Sequence, residues 1–167
     1  MTEEANAEWE QRTAALWSSM EEHDEDRFVE LVEALAAELP SGSAIGLFER
    51  ACAQDSTGHS DLAAPLYRAA LDAGLSGIRR RRAVIQMASS LRNLGDSKEA
   101  ASMLSAELNR GDDALTGAVR AFLALALADE GREREAVSVA LTALAEYLPR
   151  YNASLARYAQ ALVGEDA

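Results

Sequence analysis

The sequence predicts an all-α fold: an α-α superhelix, or solenoid, of stacked helical hairpins with about nine helices. Three observations carry that expectation. Alanine and leucine, both good helix formers, supply most of the apolar residues, while only 5% of the chain is aromatic and alternating β-branched stretches are scarce. Only three prolines occur, Pro40, Pro65 and Pro149, so long helices are permitted. Most telling, the segments 47–71, 84–108 and 120–144 align with one another without gaps.

Residues 1–40 read as a first hairpin. Helix A is expected from Ala5 to about Glu22, with Trp9, Ala14, Leu16 and Met20 apolar. Helix B is expected from Asp26 to Leu39, with Phe28, Leu31, Val32, Leu35 and Leu39 apolar. This stretch holds 12 acids and two arginines, a net of −10 of the chain's −12, and suits a degenerate, acidic cap on a stack. His23-Asp24-Glu25-Asp26 reads as an N-cap with first-turn acids rather than a metal site. Trp9 and Trp17, eight residues apart, share a helix face; one is expected in the core and the other at an interface.

Three repeats follow, at 44–76, 80–112 and 116–148. In each, a helix ends at a glycine (Gly58, Gly95, Gly131), which tolerates the left-handed backbone that turns the chain. Seven residues before each glycine stands Ala51, Ala88 or Ala124, and five after it Ala63, Ala100 or Ala136. Small side chains at these positions let the paired helices cross closely. Leu66, Tyr67, Ala70 and Leu71 continue the apolar stripe of a second helix. A single hairpin cannot bury its own face, so stacking completes the core. Residues 150–163 read as a capping helix, with Tyr151, Leu155, Tyr158 and Leu162 covering the third repeat. All of 1–167 is read as one helical-repeat domain.

The pattern of a small residue in helix A, glycine at the turn, then small, aromatic and small residues in helix B resembles the tetratricopeptide repeat (TPR), with Pro149 at the proline position of the third unit. More specifically, FERACAQDSTG (48–58), APLYRAAL (64–71), IQMASSLRNLGDSKEA (85–100), AFLALALADEGREREA (121–136) and RYNASLARYAQAL (150–162) resemble a bacterial TPR family of mostly uncharacterised members. The resemblance covers about residues 44–163. The repeat departs from the usual length of roughly 34 residues by being slightly longer, and the helix A aromatics are absent. The resemblance implies a protein-binding scaffold without catalysis, although a fold alone does not fix a function.

In a TPR stack, helix A residues line the concave face. That register places Ile45, Phe48, Cys52 and Asp55 there in the first repeat. It places Arg82, Gln86, Ser89, Arg92 and Asn93 there in the second, and Ala118, Ala121, Phe122 and Leu125 in the third. The resulting groove is polar and basic in the middle and apolar at its flanks. It suits an acidic peptide or a chain-terminal carboxylate, since a guanidinium holds a carboxylate by two parallel hydrogen bonds. The competing reading is a structural ion pair between Arg92 and Asp55. Phe48 and Cys52 stand where a chaperone-type clamp needs lysine and asparagine, which argues against that clamp. The run Arg79-Arg80-Arg81-Arg82 opposes its helix dipole; it meets either an acidic partner or the chain's own acidic residues 1–40.

Catalysis is not expected. A constellation of Asp55, His59 and Cys52 is the one candidate, and no phosphate-binding loop, dinucleotide fingerprint, C-x-x-C, H-E-x-x-H or EF-hand loop occurs. No cofactor and no metal are expected. A net charge of −12 disfavours nucleic acid as a partner. No apolar run approaches the length of a membrane span, and the acidic N-terminus carries no secretory pattern. With one cysteine, Cys52, the chain fits a reducing compartment, and the cytoplasm is expected. The alternative to groove binding is a self-associating scaffold, a homodimer held through the spare tryptophan or the apolar terminal helices.

Overall fold

A computed structural model describes residues 3–164, and among these the chain is helical with no strand. Its α-helices are α1 (Glu3–Ser18), α2 (Glu25–Ala36), α3 (Ala44–Ser56), α4 (Ser60–Asp72), α5 (Gly77–Asn93), α6 (Ser97–Leu108), α7 (Thr116–Asp129), α8 (Glu133–Ala145) and α9 (Asn152–Ala161). The chain folds as two compact units, one running to Ala83 and the other from Val84 onward.

In the first unit, α1 ends four residues earlier than the apolar pattern implies. A 3-10 turn at Met20–Glu22 then leads into α2, whose N-cap is Asp24, accepting from the Arg27 N–H at 2.9 Å. Trp9 is buried, and its indole N–H donates to the Leu35 carbonyl at 2.8 Å, tying α1 to the end of α2. Phe28 and Val32 of α2 close over Ala53 of α3, with Leu16, Trp17 and Met20 packed around them. Ser43 caps α3. Ala51 and Ala63 are both fully buried where α3 and α4 cross, and Gly58 between them turns at φ +83°. A side chain larger than alanine at either position would force the helices apart.

The second unit repeats this logic. Ala88 and Ala100 are fully buried, Ala124 and Ala136 nearly so, and Gly95 and Gly131 take positive φ. Asp96 caps α6. The expectation for the last helix needs correction. Tyr151 and Tyr158 do not cover the third repeat: they are 77% and 66% exposed. The covering face of α9 is centred on fully buried Ala159, with Leu155 and Leu162 half-buried one turn away on either side. A small residue at the centre brings a short helix close, and this turns the bulky tyrosines outward.

Candidate partner-binding site

Two of the four groove positions expected in the first repeat do not face outward. Phe48 and Cys52 are both buried inside the α3/α4 hairpin, so neither lines a partner-facing surface. The Phe48 ring lies 6.2 Å from that of Tyr67 in α4. The Tyr67 hydroxyl donates to Asp55 at 3.3 Å, and burial, with Cys52 and Asp55 nearby, pushes the phenol pKa far above its ordinary value. Asp55, near the end of α3, therefore ties that helix to α4. His59 meets the Thr57 hydroxyl at 3.1 Å. The Asp55, His59, Cys52 constellation is thus split between a buried hairpin core and a surface turn.

A separate contact ties α1 to α3. The Trp17 indole N–H donates to Glu49 at 2.8 Å, and Glu49 is a buried carboxylate on α3. Arg79 from the start of α5 donates through Nε to the same carboxylate at 3.2 Å. Its two terminal nitrogens donate to Glu10 of α1 at 2.9 and 2.5 Å, a two-pronged ion pair. The Glu10 hydrogen bonds, reinforced by the charges of both acids, raise the Arg79 pKa against the opposing effect of its burial. The arginine run is thus answered in part by the acidic N-terminal hairpin, as its charge foreshadows.

Arg82, one turn beyond Arg79, is placed differently. Its guanidinium rests over the face of Phe48, 5.2 Å from the ring centre, and among the described contacts it has no carboxylate partner. Phe48 thus supports Arg82 from beneath instead of meeting a ligand itself. Glu10, Thr13, Ala14, Trp17, Glu49, Arg79 and Arg82 together line a pocket of about 310 Å³ in the first unit. Thr13 is buried there, and its hydroxyl has no hydrogen-bond partner.

The remaining predicted groove residues of α5 lie in the second unit. Gln86 and Ser89 are half-buried and Asn93 is exposed. Arg92 donates through Nε to Asp129 of α7 at 2.7 Å, so its ion pair joins α5 to the following repeat. Ala121 and Leu125 of α7, read from sequence as an apolar flank, line an apolar hollow of about 420 Å³ with Ala124, Ala136, Val137, Ala140 and Ala143. Ala118 and Phe122 are half-buried.

Sequence reasoning missed Glu10, Thr13 and Glu49. Glu49 carried a signal: it stands on an otherwise apolar stripe with Ile45 and Cys52, at helical spacing from both. An acid so placed requires a buried partner. Among the described residues no group of histidine, cysteine or acidic side chains is arranged to hold a metal, and no helix is long and apolar enough to cross a membrane.

A family model described as tetratrico peptide repeat matches residues 44–162. No curated protein and no solved structure matches the chain.

Proposed function

The chain belongs to the tetratrico peptide repeat family, whose repeats generally mediate protein–protein interaction, and from that premise we propose that it is a cytoplasmic scaffold that binds an extended acidic segment of a partner protein along α5. Arg82 is the charged anchor. Gln86, Ser89 and Asn93 follow it at successive turns of the same helix, while Arg92, neutralised by Asp129, adds no net charge. The observation that carries this reading is Arg82 itself. In a chain of net charge −12, an exposed guanidinium rests on an aromatic ring without a carboxylate to neutralise it. Members of the family are typically non-catalytic, and the reading assigns this chain no reaction.

A peptide-display library selected on the wild-type protein tests it. Recovered peptides are expected to share acidic positions, to bind more weakly as salt rises, and to lose at least tenfold in affinity on Arg82→Ala, the loss typical of a charge-assisted anchor. Recovered peptides that bind Arg82→Ala and Asn93→Ala as tightly as wild type would remove the site from α5.

A second reading, self-association, is favoured by the exposed Tyr147, Tyr151 and Tyr158 and by the apolar hollow between α7 and α8. Sedimentation equilibrium decides it: a monomer mass at high micromolar concentration excludes a homodimer.

A further inference from the structure

We propose that the pocket between α1, α3 and α5 is a carboxylate site in which Glu10 is a resident ligand. An acidic segment of the partner displaces the Glu10 carboxylate from Arg79, lays a second carboxylate against Arg82, and accepts a hydrogen bond from the Thr13 hydroxyl. This rests on the acidic-segment reading above and names the place where that segment is anchored.

Three features of the first unit support it. The chain already seats one carboxylate there: both terminal nitrogens of Arg79 are occupied by Glu10, at 2.9 and 2.5 Å, which shows what chemistry the guanidinium accepts. Glu10 belongs to a helix outside the family-matched residues 44–162, so the carboxylate on Arg79 comes from an element that the repeat pattern itself does not include. Finally, the closed pocket leaves polar groups unused. Thr13 is buried with an unpaired hydroxyl, an arrangement that costs stability unless something binds it, and Arg82 rests only on Phe48 among the described contacts.

The charges give the sign of the effect. With Glu10 in place, the walls carry two acids and two arginines. With Glu10 withdrawn, one acid remains, Glu49, already held by the Trp17 N–H, against Arg79 and Arg82. The opened pocket is therefore net positive, and it matches a segment with two nearby acidic side chains better than a single one.

The test uses the full chain and fluorescein-labelled hexaglutamate, blocked at both ends, with blocked hexalysine as control. Binding is read by anisotropy and by tryptophan emission, to which Trp17 on the pocket wall contributes. A neutral peptide with a free C-terminus distinguishes a terminal carboxylate from side-chain carboxylates. Glu10→Gln is expected to bind hexaglutamate roughly three- to tenfold tighter than wild type, the size of a half-buried ion pair released from competition. Arg82→Ala is expected to lose at least tenfold. Thr13→Val, which keeps the shape and removes the unpaired hydroxyl, is expected to bind about fivefold more weakly while its unfolding midpoint holds or rises, a combination that a merely structural threonine would not give.

Glu10→Gln binding no tighter than wild type, or no binding of hexaglutamate by Glu10→Gln, overturns the proposal. So does equal binding of the neutral free-terminus peptide. If library-selected peptides still depend on Arg82 while Glu10→Gln leaves their affinity unchanged, the acidic-segment reading stands and the resident-ligand proposal alone fails.

Discussion

The contact between Trp17 and Glu49 can be weighed directly. Glu49 is buried and accepts two donors, the Trp17 indole N–H at 2.8 Å and Arg79 Nε at 3.2 Å. Trp17→Phe removes the N–H and keeps an aromatic ring beside Phe28, against which the indole now stands edge-on with ring centres 5.0 Å apart. Glu49→Gln removes the charge and keeps the shape, and Arg79 retains Glu10. A hydrogen bond to a charged, shielded acceptor contributes about 1.5–3 kcal/mol, and each single variant retains part of the network. The coupling in a double-mutant cycle is therefore expected at about 1–2 kcal/mol. Both tryptophans, Trp9 and Trp17, lie in the first unit. Tryptophan emission during urea unfolding accordingly follows that unit in all four proteins, with Trp9 as reporter where Trp17 is replaced. An m-value unchanged across the set keeps the comparison valid. A coupling below about 0.5 kcal/mol, the range of independent sites, would refute the claim that this bond fastens α1 over α3.

Three other substitutions probe the crossings, the α7 start and the acidic hairpin. Ala100→Leu overfills a fully buried helix crossing and should cost about 1–3 kcal/mol in urea unfolding, whereas Ser102→Leu, exposed on the same helix, should stay within about 0.5 kcal/mol. Gly117→Ala places a methyl 2.7 Å from the Tyr147 hydroxyl, but that phenol is 71% exposed and free to swing, so the gain in helix propensity decides the sign. Thermal melting should show a stabilisation of up to about 1 kcal/mol, and a loss would mean that Tyr147 is held in place. The hydrogen bond from Arg12 holds the Glu38 carboxyl below its ordinary value of 4.5. Its contribution is complete above that value and fades as pH falls through the lower, folded one. Carboxyl-carbon NMR should show the Glu38 titration moving upward in Arg12→Ala.

The repeat architecture was legible because its determinants are local. A glycine at φ +83° to +87° and an alanine at each crossing are short-range demands, and Gly58, Gly95, Ala51, Ala63, Ala88 and Ala100 answer them at fixed spacing. The Asp24 cap and the burial of one tryptophan were legible for the same reason. The site was legible only in part. Arg82 stood out by charge, but the burial of Phe48 and Cys52 follows from how α3 packs against α4, which is a tertiary choice. Contacts between Glu10 and Arg79 span 69 residues, and no periodicity reports such a distance. The α9 face was misread because Leu155 and Leu162 pair equally well with Tyr158 or with Ala159 at helical spacing; close approach to α8 favours the smaller residue.

The cluster of Phe28 and Val32 over Ala53 separates the unit of folding from the unit of kinship. A gene fragment trimmed to the family-matched residues would begin at Ala44 and leave Ala53 without its cover, and Glu49 without the indole that satisfies it. Such a fragment would carry the recognisable repeats and yet present a raw apolar surface and an under-satisfied acid at its first helix. Any recombination event that moves these repeats into another protein must therefore carry the preceding hairpin with them, or supply a substitute of the same shape and charge.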